Sequence, residues 1–258
     1  MSSRIWHIAA NTFREAVRDR VLYNLIAFAL LMSGAAVLVG QISIGIERLV
    51  VINLGLTAIS LFGLVIAIFI GIGLVSKEID KRTLYTVLSR PVRRWEFIAG
   101  KFFGLSGTLV VNTFFMAIGV FIALLYVSHH LTHADAGVLV ALYFIILQFV
   151  ILTALALLFS SFSSPLLSAV FAFSLFVIGS FAEDLRGFAR LSHGIARWLA
   201  TGAAFLVPNF SALNVVSQVA HQVSVSRQLI AYNTAYAVVY TLAVLSATAL
   251  IFERRNLK

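Results

Sequence analysis

Apolar residues in this chain come in runs far longer than a buried strand needs, separated by short stretches in which polar residues are concentrated. Six stretches, at about 21–40, 49–75, 102–128, 137–159, 165–182 and 228–252, contain no Asp, Glu, Lys, Arg or His. A helix rising about 1.5 Å per residue needs about 20 apolar residues to cross a hydrocarbon layer about 30 Å thick. The six runs meet or approach that length, the fifth being the shortest. Their length and their Leu, Phe and Ala content predict helices rather than the alternating strands of a barrel.

Two further stretches carry an amphipathic period. In SRIWHIAANTFREAVRDRVLYN, Ile5, Ala9, Phe13, Val17 and Val21 recur every four residues while Arg14, Arg18 and Asp19 take other faces. This predicts a helix lying on the membrane surface and turning into span one. In LRGFARLSHGIARWL, a stripe of Leu185, Phe188, Leu191, Ile195 and Trp198 opposes Arg186, Arg190, His193 and Arg197. After Pro208, Ser211 is placed to cap a short helix carrying Leu213, Val216 and Val219.

Composition agrees: 61% of the 258 residues are hydrophobic and 11% charged, against about 25% charged in a soluble domain. The expected fold class is an all-α polytopic membrane protein, a single transmembrane domain over 1–258 with six transmembrane helices. The first apolar run is too long for a signal peptide and should stay in the protein. There is no cysteine, which excludes disulfides and thiolate metal sites.

Positive charge sets the expected orientation. With the N-terminus inside, 14 of the 19 Lys and Arg fall on the cytoplasmic side, seven of them in 76–101, and five outside, namely Arg48, Arg186, Arg190, Arg197 and Arg227. Both termini are then cytoplasmic and 183–227 is an outer segment. Anionic lipid headgroups account for much of the net charge of +9, so no nucleic-acid partner is implied.

Motifs of nucleotide and hydrolase chemistry are missing. The one Gly-Lys pair, Gly100-Lys101, has Trp95 where a phosphate-binding loop requires glycine, and neither H-E-x-x-H nor G-x-S-x-G occurs. Spans without an ionisable residue argue against proton- or cation-coupled transport and against intramembrane catalysis. In SHHLTHAD, His129 and His133 are four apart, as metal-binding imidazoles would be, but no third ligand is fixed by spacing and a solvated loop is the plainer reading. Asn112 and Gln148, polar residues inside spans, suit helix-to-helix hydrogen bonds or substrate contact. Gly55, Gly63 and Gly71 form a row for close helix approach, within the bundle or at a dimer seam.

Residues 76–101, SKEIDKRTLYTVLSRPVRRWEFIAGK, hold ten charged residues in 26 positions. The pattern predicts a helix to about Ser89 with Glu78 and Arg82 paired four apart, an elbow at Pro91, and a second helix climbing into span three. A simple positive anchor has no use for Glu78, Asp80 and Glu96. Mixed charge beside apolar residues suits docking to a protein.

The runs NTFREAVRDRVLYN, KEIDKRTLYTVLSRPVRRWEFIAGKFFG, VPNFSALNVV and IFERRNLK, in that order, resemble the type-2 ATP-binding-cassette permeases, including those associated with nitrous-oxide-reductase maturation. The resemblance implies a coupling helix in the loop between spans two and three, seated on a separate ATPase. Glu78, Arg82 and Thr83 match an acidic-to-basic-Thr pattern there, and Arg90 and Pro91 its elbow, with Asp80, Lys81, Arg93 and Arg94 completing the candidate docking set. It further implies a homo- or heterodimer of permeases in a prokaryotic inner membrane, a re-entrant outer segment before span six, and ATP and Mg bound by the partner rather than by this chain. A secondary transporter and a membrane scaffold for an assembly pathway stay open as alternatives. The substrate is not readable from the residues.

Overall fold

In the computed structural model of the chain, the described residues are 2–18, scattered positions between 23 and 40, 45–80, 94–128, 135–191, 193–195, 197–198, 201–202 and 207–254. Every regular element among them is helical: α1 Ser2–Val17, α2 Glu47–Asp80, α3 Arg94–Ser128, α4 Ala136–Ser160, α5 Pro165–Ser180, α6 Ala182–Leu191, a 3-10 turn Ser211–Leu213, α7 Val216–Ala220 and α8 Arg227–Arg254. Four stretches, 47–73, 95–128, 136–160 and 227–252, are long and apolar enough to cross a membrane. The expected span at 165–182 appears as α5, opened by Pro165 in the first helical turn and bent by 60° from α6, and this pair would make a fifth crossing. Half of the expected span at 21–40 lies outside the described residues; Leu30, which is described, packs against Gly119 of α3.

The helices cohere around α4, of which 16 of 25 residues are buried. One hydrophobic cluster runs from Ala16 of α1 through α2, α3 and α4 to Val244 of α8. Inside hydrocarbon, apolar burial gives little drive for helices to associate, so close packing and polar contacts decide the arrangement. The α2 glycine row does this work within the chain. Gly55 faces Val120 of α3, Gly63 lies under the Phe149 ring of α4, and Gly71 meets Ala156 of α4. At Gly63 even a methyl group would overlap that ring, which ties this position to glycine.

At the end of α2 opposite Asp80, Arg48 forms an ion pair and hydrogen bond with Asp135 beside α4. The Asp135 side chain is 5% exposed, so the pair is largely withdrawn from solvent. Losing one partner of such a pair costs more than the pair contributes over an apolar alternative, because the remaining charge stays buried.

Between α6 and α8 the backbone leaves the helix, and each exposed peptide group there requires a partner if the segment sits at membrane depth. Four partners are supplied. The Gln148 amide donates to the Leu213 carbonyl at 2.9 Å, and the Asn233 amide donates to the Ala212 carbonyl at 2.8 Å. The Asn209 N–H donates to the Tyr236 hydroxyl at 2.8 Å, and the Phe210 N–H to the Gly179 carbonyl at 3.0 Å. Gly179 also lets the Pro208 carbonyl and the Phe210 ring approach α5 closely. Leu213, Val216 and Val219 are buried as their spacing predicted. The caps differ from the expected Ser211: Asn209 Oδ1 accepts from Ser211 Oγ at 2.7 Å and the Ala212 N–H at 3.2 Å, and Asn214 Oδ1 accepts from the Val216 N–H at 3.3 Å. An Asn side chain reaches the N–H groups two and three residues on, and here two of them share the capping of a segment too short for one.

Replacing Gln148 or Asn233 with Leu leaves a buried carbonyl without its donor and should cost about 1–3 kcal/mol each. The expected result is a lower melting temperature in detergent, together with new protease cleavage within 207–220. Unaltered melting and cleavage in both variants would show that these amides do not hold the segment.

Candidate functional site

The loop expected to meet a partner is described at its two ends. α2 continues as helix through Glu78 and Asp80, and α3 begins at Arg94. Lys81, Arg82, Thr83, Arg90, Pro91 and Arg93 lie outside the described residues, and with them the expected Glu78–Arg82 pairing and the proline elbow. Helix α2 is therefore a single 34-residue element, without a break where the span was expected to give way to the loop.

The base of the loop, the first turns of α3, differs from expectation in its charges. Glu96 was an acid of the docking face and Lys101 a positive anchor, yet each is 1% exposed. The Lys101 ammonium lies 5.7 Å from the centroid of the Phe97 ring, where the negative face of the ring favours a cation. Phe97 in turn stacks on Phe252 of α8 at 6.0 Å. The end of α8 thus closes over the start of α3, which linear charge counting could not reveal.

Helix α1 closes the other side. A methyl group at Gly100 would come within 2.6 Å of the Ile8 side chain, and one at Gly104 within 2.6 Å of the Ala9 carbonyl oxygen and Thr12 Cβ. Ala9, Thr12 and Ala16 are buried, whereas Trp6 is 72% exposed. The packed face of α1 is therefore its small-residue face, turned from the expected Ile5, Ala9, Phe13, Val17 stripe. Two glycines one turn apart on α3 let α1 approach closely, Gly100 receiving Ile8 and Gly104 receiving Ala9 and Thr12. His7, Asn11, Arg14, Glu15 and Arg18 remain exposed on the opposite side. Any displacement of the loop base must carry α1 with it.

The two polar residues expected along a substrate path are both buried. Gln148 is committed to the Leu213 carbonyl, and Asn112 is 3% exposed with its amide nitrogen unbonded. Neither lines a described cavity. A cavity of about 320 Å³ is instead lined by Asn53, Thr57 and Ser60 of α2 together with Asn214 and Ser217. Sequence reading passed over these three α2 residues, although their i, i+4, i+7 spacing was the signal to use. A second cavity, of about 310 Å³ between α3 and α4, is almost wholly apolar. His129 and His133 lie outside the described residues, and among the described residues no group of three metal-ligating side chains occurs.

An all-helical apolar bundle with a mixed-charge loop between its second and third expected spans suits a transporter's membrane subunit, and family comparison decides the matter. The model of the ABC-2 family transporter protein matches residues 6–257. This chain belongs to the ABC-2 transporter family. No curated protein matches it. Membership makes the chain a multi-pass membrane permease subunit of an ABC transporter, and association with an ABC ATPase is a general property of the family.

In this ABC-2 permease, Gly104→Leu should expel α1 from its seat while leaving the α2–α4 core intact. We expect cysteines introduced at Ala9 and Thr12 to become reactive toward a soluble maleimide only in the Gly104→Leu background. Equal labelling in both backgrounds would overturn the docked position of α1.

Proposed function

We propose that this ABC-2 protein is the membrane subunit of an ATP-driven exporter. Residues 76–101 are its contact with a separate ATPase, and the chain itself binds no nucleotide and catalyses no reaction. Family membership supports this reading most strongly. The run order that resembles the permeases of nitrous-oxide-reductase maturation inclines us to place the chain among that kind. A second permease copy, homologous or identical, completes the transporter, and ATP with Mg is held by the partner.

The mechanism follows from the loop base. ATP-driven closure of the ATPases displaces residues 76–101, and α3 begins within that stretch, at Arg94. Because α1 sits on Gly100 and Gly104 and Phe252 of α8 stacks on Phe97, the displacement moves the ends of three helices together. Their tilt against the buried α4 changes access to the cavity beside α2. Of the docking set, Glu78 and Arg82 carry opposite charges four residues apart, and complementary charge at an interface sets partner choice.

Glu78→Lys should weaken ATPase copurification by at least about fivefold, roughly 1 kcal/mol, with more lost if the contact is dry. Charge reversal at Arg254, which we read as a topology anchor, should leave it unchanged at equal membrane expression. Full ATPase binding and activity in Glu78→Lys would remove the docking assignment.

The orientation we adopt, with both termini cytoplasmic, has its own check in a chain without native cysteine. Single cysteines at Ser3 and Ser89 should react only from the cytoplasmic side, and one at Thr132 only from outside. Cytoplasmic labelling at Thr132 would sink the six-span arrangement.

A further inference from the structure

Most polar side chains of the long helices are used within the chain. Thr108, Thr153, Thr234 and Thr248 each donate to the carbonyl one turn back, and Gln148 and Asn233 hold the 207–220 segment. Asn53, Thr57 and Ser60 of α2 are used differently. They share one helix face, and with Phe176 of α5 and with Asn214 and Ser217 they enclose the cavity of about 320 Å³. That volume lies within the range of small-molecule sites.

Hydrogen-bond accounting defines what this cavity wants. The Thr57 hydroxyl donates to Asn53 Oδ1 at 3.4 Å, and Asn214 Oδ1 accepts the Val216 N–H at 3.3 Å. Both contacts occupy amide oxygens, so the amide N–H groups of Asn53 and Asn214 remain as donors beside the hydroxyls of Ser60 and Ser217. Asn53 lies six residues into α2 and Ser60 thirteen, or about 9 and 20 Å along the axis. At those depths an acyl chain satisfies none of these groups, and leaving them bare in hydrocarbon is costly.

Among the described residues, no charged side chain lines the cavity. An ionic head group drawn into this half-open groove would give up water without gaining a counter-charge, which favours an uncharged one. Phe176, whose ring packs on that of Phe210 at 5.2 Å, joins Leu61 and Leu64 as the apolar part of the lining. The cavity between α3 and α4 is the contrast. Its Tyr143 hydroxyl is engaged by Thr234 Oγ1 at 2.7 Å, and its remaining lining suits an acyl chain.

We propose that the α2 cavity binds the uncharged, polyhydroxylated head of an amphiphile, and that neutral glycolipid-like molecules are the substrate class of this permease. The second clause rests on the exporter reading above; the binding itself does not.

The test uses the full chain in phosphatidylcholine nanodiscs with a dodecyl maltoside carrying a diazirine in its alkyl chain. Cross-linked peptides should map to α2 and to 207–220. Plain dodecyl maltoside should compete for labelling, and dodecylphosphocholine at equal concentration should not. Asn53→Leu and Ser217→Ala, both at positions that are not fully buried, should each reduce labelling at least about threefold, the loss expected for one net hydrogen bond. Labelling indifferent to both substitutions, or equal competition by the phosphocholine detergent, would overturn the proposal. So would a Thr57→Cys variant that forms a disulfide between two copies at this face, since the groove would then be a subunit seam. No ATPase is needed. A negative result beside intact ATPase copurification removes the ligand class alone, and positive labelling beside failed copurification removes the exporter reading and keeps the site.

Discussion

A hydrocarbon environment offers no partner to a bare peptide group, and much of this structure follows from that. The long helices satisfy their backbones internally over 25 to 35 residues. The 207–220 segment cannot, so α4, α5 and α8 supply what it lacks through Gln148, Gly179, Asn233 and Tyr236. A span such as α4, whose mean character is overwhelmingly apolar, keeps a glutamine because one carbonyl outside the helix requires a donor. The irregular segment and the polar residues of its neighbours are one feature seen from two sides.

Small residues set how closely the helices approach, and the same device serves two purposes. Along α2 it builds the core, with Gly55, Gly63 and Gly71 taken up by α3 and α4. At the base of α3 it seats a peripheral helix, with Gly100 and Gly104 receiving the small face of α1. The second junction also contains Glu96 and Lys101, both buried, and the stacked rings of Phe97 and Phe252. Ionisable groups in so confined a place favour one arrangement over slid or rotated alternatives, because displacement would strip them of their contacts. Under the proposed function, a rigid junction is what a force-bearing connection between residues 76–101 and the helical bundle requires.

Polar residues of the spans divide accordingly into those that serve the fold and those left over. The hydroxyls that bond back to their own helix and the amides that hold the 207–220 segment belong to the first group. Asn53, Thr57 and Ser60, at a surface cavity and with donors to spare, belong to the second. Of the two buried amides expected along a substrate path, that of Gln148 is engaged by the Leu213 carbonyl, whereas the amide nitrogen of Asn112 has no partner among the described residues.

The sequence by itself determined the membrane class, the positions of the long helices, the amphipathic character of α1 and α6, and the buried register of Leu213, Val216 and Val219. Each depends on local periodicity or run length, which the solvent reads directly. It also set out the charges of residues 76–101, and the family to which they point. Only the tertiary structure decided which face of α1 is packed, because the amphipathic stripe and the small-residue face differ by less than a quarter turn and the choice lay with two glycines ninety residues away. It alone withdrew Glu96 and Lys101 from the surface, where a count of charges along the chain had put them. It assigned Gln148 to the backbone of a distant segment and gathered Asn53, Thr57 and Ser60 with Asn214 and Ser217 around one cavity. Those decisions turn on partners remote in sequence, and a polar residue in a span has no readable role until its partner is in place.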